Sequence, residues 1–351
     1  MSDLAYLHGQ PTATADIRTC NADFIVQEIL PFLPCGEGEH HLLHIRKDGL
    51  NSADVAKKIS SFAGVHPKEV TLAGQKDKHA ITEQWFGVRI PGKETPDWQG
   101  LNSDQITVLE SGRHLKKLRT GALSGNRFSI TLRQVSDIDA VIKRFELVKQ
   151  QGVPNYFGEQ RFGNNGKNLV MGRQMLAGKK VKDRNKRSFY LSAVRSNLFN
   201  QHVSQRIGRH GLTRLAGDCV MLAGSRSYFV AQQWDQELTN RLETEDILLS
   251  CPLWGRGSAL AQDQAAEFEL NVAQQYEEDC LGLEKAGLNQ ERRMMILKPE
   301  QLAYQVTDDT VVLKFALPAG CFATSVLREL VDYQDVTSRE RQQKLQDGTA
   351  S

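Results

Sequence analysis

The chain has 351 residues, of which 44 are Lys or Arg and 42 are Asp or Glu, so its formal net charge is +2. This length predicts about two domains, and the apolar and charged fractions are those of an ordinary globular protein. No apolar run reaches the roughly 18 residues that a membrane-spanning helix needs. Six scattered cysteines without a Cys-x-x-Cys pair, and an N-terminus unlike a signal peptide, predict a cytoplasmic protein without disulfides or a zinc site.

The charges are unevenly distributed along the chain. Residues 113–133 hold six Lys or Arg and no acid, and residues 152–187 hold nine against two acids. Residues 262–284 reverse the sign, with seven acids and no Lys or Arg. Segregated positive charge is typical of a surface that binds a polyanion, although a solvated basic surface has the same composition.

The N-terminal part predicts two strands and a helix. Residues 23–29 and 40–46 are strand-like, and the helix is predicted between Asn51 as N-cap and Gly64 as stop. His40 and His44 have the spacing of a helical metal pair, but the apolar residues among them favour a strand. We therefore expect no metal site here.

A loop with an unusual charge pattern follows, between strand-like residues 70–72 and 85–90. It contains Asp77 between Lys76 and Lys78, with Gly74 just before them. A carboxylate flanked by cations is expected to stay ionised at neutral pH. From the residues alone, Asp77 could be a nucleophile, a base, a metal ligand or a turn residue.

The middle of the chain adds motifs suited to RNA. A strand at 106–109 precedes a polar turn at 125–128, which could be the rim of a pocket or a plain hairpin. A helix is predicted from Asp137 to about Lys149. Residues 152–163 then interleave aromatic, glycine and basic residues, a composition that can stack on unpaired bases.

A dense basic cluster comes next, suited to phosphate contacts or to a solvated linker. Its members are Lys179, Lys180, Lys182, Arg184, Lys186 and Arg187. Ser188 is predicted to cap a helix, and residues 262–285 also have a helical pattern. Near the end, residues 311–317 predict a strand, and Thr324 is predicted to cap a helix through Leu330.

Five motifs, taken together and in order, resemble the TruD family of tRNA pseudouridine synthases. They are GQKDKHA at 74–80, GNRF at 125–128, VPNYFGEQRFG at 153–163, NKRS at 185–188 and LPAGCFAT at 317–324. Each motif alone is weak, but the ordered set spans nearly the whole chain and is specific.

The resemblance implies an α+β chain with the pseudouridine synthase fold, a mixed and largely antiparallel sheet with helices. An inserted α/β TRUD domain would interrupt this fold. Residues 1–151 and 297–351 would then form the catalytic domain, and residues 152–296 the insertion.

The resemblance also implies an activity, the isomerisation of uridine 13 of tRNA to pseudouridine without metal or organic cofactor. The uridine is expected to flip into the pocket. The resemblance also implies that the protein binds tRNA, does not associate with a membrane and is a monomer. Asp77 matches the catalytic aspartate, acting as nucleophile at the ribose C1′ or as base at C2′. Arg18 stands where the family usually has lysine. Because arginine keeps its proton, Arg18 can only be an electrostatic partner of Asp77.

The family match further implies a substrate pocket. Phe128 matches the aromatic residue that stacks on the uracil, Asn126 a residue that hydrogen-bonds the substrate, and Phe24 and Phe322 two further pocket residues. Besides the basic cluster, three residues of the Asp77 loop are candidates for tRNA phosphate contacts: Lys76, Lys78 and His79.

Two other hypotheses belong to different classes. A non-catalytic RNA-binding protein would use the basic, aromatic-rich part of the chain while the Asp77 site is idle. An RNA methyltransferase would need a Gly-x-Gly-x-x-Gly fingerprint after a strand, and the sequence has none.

Overall fold

The computed structural model describes residues 3–92 and 94–338. Within these ranges no helix is long and apolar enough to cross a membrane. The strands are β1 Thr14–Ile17, β2 Phe24–Ile29, β3 His40–Asp48, β4 Val70–Leu72, β5 Ile81–Arg89, β6 Ile106–His114, β7 Gly125–Leu132, β8 Val153–Pro154, β9 Asp218–Leu222, β10 Tyr228–Ala231, β11 Ile247–Leu253, β12 Glu291–Met294, β13 Ile296–Leu297, β14 Glu300–Thr307, β15 Thr310–Pro318 and β16 Asp332–Asp335. The α-helices are α1 Ser52–Ala63, α2 Ile138–Gln151, α3 Lys167–Leu176, α4 Arg184–His210, α5 Gln236–Glu243, α6 Asp263–Gln274, α7 Glu277–Lys285 and α8 Ala323–Leu330.

The described chain forms two compact units, each built from separate segments. Unit one comprises residues 3–11, Arg144–Lys298 and Cys321–Leu330, and unit two comprises Thr12–Lys143, Pro299–Gly320 and residues 331–338.

Unit two is built on an eight-stranded mixed sheet. Its order is β14-β15-β7-β2-β5-β3-β6, with β4 paired to β5. The pairs are antiparallel except that β2 runs parallel to β5. A separate parallel pair joins β1 to β16. The expected α+β class and largely antiparallel sheet are confirmed.

Local patterns explain the elements that surround the Asp77 loop. In β2 buried and half-buried residues alternate, because successive side chains point to opposite faces of a sheet. Helix α1 ends at Gly64, whose φ of 62° is the left-handed conformation that glycine adopts easily. The fully buried side chains of Val55 and Ile59 pack this helix into a cluster with strand residues such as Phe86.

Unit one has a four-stranded antiparallel sheet of order β10-β9-β11-β12, and β13 pairs with β8. One apolar cluster of this unit includes Tyr156, Phe199, Val203, Val220 and Ile247. Helix α4 therefore contributes an apolar face to the core of this unit.

Residues 3–11 and Cys321–Leu330 belong to unit one together with Arg144–Lys298. Hydrogen bonds explain this membership: Arg328 Nη2 donates to Leu4 O at 2.8 Å, and Ser325 Oγ donates to Tyr156 O at 2.8 Å. Sequence patterns do not reveal such contacts, because the partners are 324 and 169 residues apart.

Two predicted helix starts are wrong. Helix α4 begins at Arg184 rather than at Ser188, because Asp183 Oδ1 accepts hydrogen bonds from the backbone N–H groups of Asn185 and Lys186. Thr324 lies inside α8, which begins one residue earlier.

Two other predicted elements have different lengths. The predicted single helix at 262–285 is two helices, α6 and α7, that break at residues 275–276. The predicted strand at 106–109 continues as β6 to His114.

Candidate active site

Asp77 lies in the loop between β4 and β5, and its side chain is 39% exposed. The backbone carbonyl of Asp77 accepts a hydrogen bond from Lys47 Nζ at 3.0 Å, and the same ammonium group donates to Leu50 O at 2.7 Å. Lys47 is fully buried at the end of β3. A buried ammonium group thus fixes the main chain of the candidate catalytic residue.

Two further contacts fix the same loop on its other side. Ser52 Oγ accepts from the backbone N–H of Lys76 at 3.0 Å and donates to Gln84 Oε1 at 2.7 Å. Gln84 Nε2 in turn donates to Gly74 O. Since Ser52 begins α1 and Gln84 lies in β5, the loop is attached to two regular elements.

The carboxylate of Asp77 is paired with Arg18. Arg18 Nη2 lies 2.9 Å from Asp77 Oδ2, while Nη1 donates to Asp335 Oδ2 at 2.7 Å. The guanidinium group also lies over the Phe24 ring, 4.1 Å from its centroid. Arg18 has a φ of 57°, a strained left-handed conformation for a residue with a side chain.

Asp335 reaches this position because β16 pairs in parallel with β1, which places it beside the residue just before Arg18. Burial opposes ionisation of Asp335, but the Arg18 charge and the hydrogen bonds from Thr337 and Ser338 outweigh it, so the pKa of Asp335 is lowered. One guanidinium group therefore serves two carboxylates.

The aromatic candidates Phe24 and Phe128 lie near each other beside this ion cluster. Their ring centroids are 6.4 Å apart in an edge-to-face arrangement, and Phe128 stacks on Phe315 at 5.4 Å. The β2–β7 register pairs Val26 with Phe128. Both candidate rings are more than nine-tenths buried.

Asn126 is bound to a second buried charge pair. Lys76 Nζ donates to Asn126 Oδ1 at 2.8 Å and lies 2.9 Å from Glu28 Oε1. The other oxygen of Glu28 accepts from the backbone N–H of Trp85 at 2.9 Å. Glu28 and Asn126 face each other across the β2–β7 pair.

The position of Lys76 changes one expectation. Its side chain is only 9% exposed and its ammonium group is held by Glu28 and Asn126, so it is not directed outward to a tRNA phosphate. Lys78, by contrast, is exposed, and His79 is half-buried. Neighbouring loop residues point in different directions, and sequence adjacency to Asp77 does not reveal which cation contacts it.

Burial makes Lys47 unusual among the cations of the site. Desolvation lowers its pKa from 10.5 to about 8, although the negative charge of Asp77 opposes that change. The ammonium group still has two carbonyl partners, which partly replace the water it has lost.

Phe322, the remaining pocket candidate, belongs to unit one. Its ring contacts Phe157 edge-to-face at 5.9 Å, and Arg161 lies over both rings. Gly158 is required here, since a Cβ atom would lie 2.7 Å from Thr324 Oγ1 and 2.9 Å from the Phe322 ring. The VPNYFGEQRFG and LPAGCFAT motifs thus meet in one aromatic cluster.

The six cations of the basic cluster at 179–187 are all exposed. Its last three cations, Arg184, Lys186 and Arg187, lie in the first turn of α4. Cations are unfavourable at this positive end of a helix dipole. Together with exposure, this arrangement is suited to binding an anion.

The described residues contain no group of three or more His, Cys, Asp or Glu side chains that could hold a metal ion. His40 and His44 lie in β3, as their apolar neighbours predicted, and the His44 ring stacks on Trp85 at 4.7 Å.

Three charged residues of the site were not singled out from the sequence: Glu28, Lys47 and Asp335. Glu28 lies in a strand that is otherwise largely apolar, which is a signal for a buried polar contact. Lys47 lies at the polar end of β3, between Arg46 and Asp48, and carries no such signal. Asp335 carries no such signal, because its partner is 317 residues away.

Comparisons with known proteins identify the family. The family model described as tRNA pseudouridine synthase D (TruD) matches residues 2–183 and 177–330. A relative from Shewanella oneidensis, named tRNA pseudouridine synthase D, is 66% identical over 345 residues, covering 98% of this chain and 93% of the relative. A relative of the same name from Aeromonas hydrophila is 50% identical over 345 residues and 98% of both chains.

A solved structure shares the fold. The crystal structure of a Methanosarcina mazei chain that bears the TruD name matches with a TM-score of 0.73 at 20% identity, over 93% of this chain and 95% of the other. The ordered motifs, the extent of the family match and the near-complete coverage of both named relatives lead to one conclusion. The chain belongs to the TruD family of tRNA pseudouridine synthases.

Proposed function

We propose that this protein isomerises uridine 13 of tRNA to pseudouridine and that Asp77 carries the reaction. The observation that supports this most directly is the Asp77–Arg18 pair, beside the nearly perpendicular rings of Phe24 and Phe128. A carboxylate held by a permanent cation next to an aromatic surface suits chemistry on a flipped nucleoside.

In the proposed reaction the bond between N1 and C1′ breaks, the uracil turns, and a bond between C5 and C1′ forms. C5 loses a proton and N1 gains one, so the product is an isomer of the substrate. Asp77 either attacks C1′, dividing one difficult step into two, or removes the C2′ proton to give a glycal. Phe128 would stack on the uracil, and Phe24, Asn126 and Phe322 would hold the nucleoside.

tRNA is the proposed partner, bound in part by phosphate contacts. Exposed cations at 179–187, with Lys78 and His79 from the Asp77 loop, are the candidates. Phosphate contacts position an RNA without reading its sequence, so the choice of target falls to the pocket.

The domain assignment is part of the same proposal, with residues 152–296 as the inserted TRUD domain. The break between the two units after Lys298 supports a boundary close to this end of the insertion.

The test measures tritium release from tRNA that carries 5-tritiated uridine, because release reports the loss of the C5 hydrogen. Wild-type protein is expected to release tritium at uridine 13, and Asp77→Asn is expected to bind tRNA with unchanged affinity and release none. A folded wild-type protein without release would contradict the proposal. Release at another uridine would refute only the position, and full activity of Asp77→Asn would refute the role of Asp77.

A further inference from the structure

The amide of Asn126 can have only one orientation in this site. Its partner, Lys76, carries an ammonium group with three donors and no acceptor, so the atom 2.8 Å away must be the amide oxygen. The amide nitrogen, with its two N–H groups, then points away from Lys76.

Glu28 prevents the alternative orientation. One carboxylate oxygen forms an ion pair with Lys76 and the other accepts from the backbone of Trp85, so Glu28 holds the ammonium group beside Asn126, where only an acceptor can face it. The Glu28 side chain is fully buried and that of Lys76 nearly so. Separating a buried ion pair leaves an uncompensated charge, which makes rearrangement costly.

We propose that Glu28 and Lys76 are positioning residues that fix Asn126 as a hydrogen-bond donor to the target base and thereby select uracil. This inference rests on the proposed function, since it assigns a purpose to a contact that Asn126 would make with the substrate. Neither charged residue touches the base.

The symmetry of uracil gives a fixed donor particular value. When the base turns to exchange N1 for C5, its O2 and O4 atoms also exchange places. A donor in one position therefore meets a carbonyl oxygen both before and after the turn. Cytosine offers a carbonyl in only one of the two orientations and an amino group in the other, where two donors would face each other unpaired.

A double-mutant cycle tests whether Lys76 acts through Asn126. The variants are Lys76→Met, Asn126→Ala and the two combined, with tritium release measured in single turnover at saturating enzyme. Each single change is expected to slow tritium release about 10- to 100-fold, because that is the size of effect expected from losing a charge-assisted hydrogen bond. The Kd for tRNA is expected to change less than about twofold, because most of the tRNA contacts are unaltered. The combined variant is expected to be no slower than the slower single variant. If the two rate losses multiply in the combined variant, the proposal is overturned. Multiplied rate losses correspond to additive free energies, which would mean that Lys76 does not act through Asn126.

Lys76→Met leaves Glu28 buried without a cation, so folding needs its own control. In Glu28→Gln/Lys76→Met both charges are removed together, and its thermal melting should resemble that of wild type. Release by this variant should still be slowed at least about tenfold, since no ammonium group orients Asn126. A wild-type rate would overturn the proposal.

A binding measurement separates this inference from the proposed function. In the Asp77→Asn background the base keeps its first orientation, in which O4 is proposed to face Asn126, so tRNA with uridine at the target position is expected to bind about tenfold more tightly than tRNA with cytidine there. Adding Lys76→Met should bring the ratio to about one. An unchanged ratio would refute the positioning role even if wild type is active. A ratio that collapses while wild type releases no tritium would refute the proposed reaction alone.

Discussion

At the scale of single residues, two cations of the site each bind two acceptor groups. Arg18 serves Asp77 and Asp335 at 2.9 and 2.7 Å, and Lys47 serves two main-chain carbonyls. With its guanidinium group divided between two carboxylates, Arg18 neutralises Asp77 less than an unshared partner would. We infer that Asp335 both orients Arg18 and keeps Asp77 reactive.

Asp335→Ala should slow single-turnover tritium release about 10-fold, because Arg18 loses a charged partner and its orientation. The Kd for tRNA should stay within about twofold, and Asp335→Asn should recover part of the rate because its amide oxygen still accepts from Arg18. The control is Asp332→Ala, an exposed residue of the same strand, which should leave the rate unchanged. Equal rates for Asp335→Ala and wild type would remove Asp335 from the site.

Lys47 predicts a pH dependence of stability. Its pKa is about 8 when folded against 10.5 ordinarily, so between these values the unfolded chain binds more protons and the free energy of unfolding rises with pH. Lys47→Met should lack this rise. The free energy of unfolding of wild type, relative to that of the variant, should therefore increase by about 3 kcal/mol as the pH rises across the full window. Urea unfolding at pH 7, 8.5 and 10 measures it.

The control for this prediction is Lys58→Met, which removes an exposed lysine from α1. Its free energy of unfolding should follow wild type at all three pH values. If Lys47→Met also follows wild type, the buried ammonium group does not titrate in this window.

At the scale of elements, the Asp77 loop and the basic cluster differ in how they are held: the loop is fixed by hydrogen bonds, whereas the cluster is exposed. The Asp77 loop is fixed at three backbone atoms by Lys47, Ser52 and Gln84. The basic cluster lies on the connection from α3 to α4 and in the first turn of α4, and its six cations are exposed. A rigid loop suits chemistry, whereas exposed cations suit contacts with a phosphate backbone.

Replacing Lys179, Lys180 and Lys182 with Gln should weaken tRNA binding and reduce the slope of log Kd against log salt. Each lost phosphate contact removes about 0.7 to 0.9 from that slope, because fewer counterions are released. The matched control changes three exposed lysines of unit two, Lys57, Lys58 and Lys68, to Gln. A salt slope that falls equally in both variants would show that net charge alone governs binding.

At the scale of the whole molecule, the two units are assembled from interleaved segments. Unit two takes β14 and β15 from beyond residue 298, and unit one takes α8, which follows them. Helix α8 is almost entirely buried, since its residues pack in unit one.

The sequence by itself determined the class of secondary structure and the family. Strand and helix periodicities predicted β2, β3, α1 and β15 closely, because these patterns arise from residues near one another in the chain. The ordered motifs predicted the fold and named Asp77 as the candidate catalyst.

Only the tertiary structure decided which charges meet. Lys76 is the neighbour of Asp77 in sequence, yet it binds Glu28, while Arg18 reaches Asp77 from 59 residues away and Asp335 reaches Arg18 from 317. These contacts depend on strand pairing, above all the parallel pair of β1 and β16. Pairing between distant strands leaves little trace in local sequence, and a buried charge takes whichever partner that pairing brings within reach.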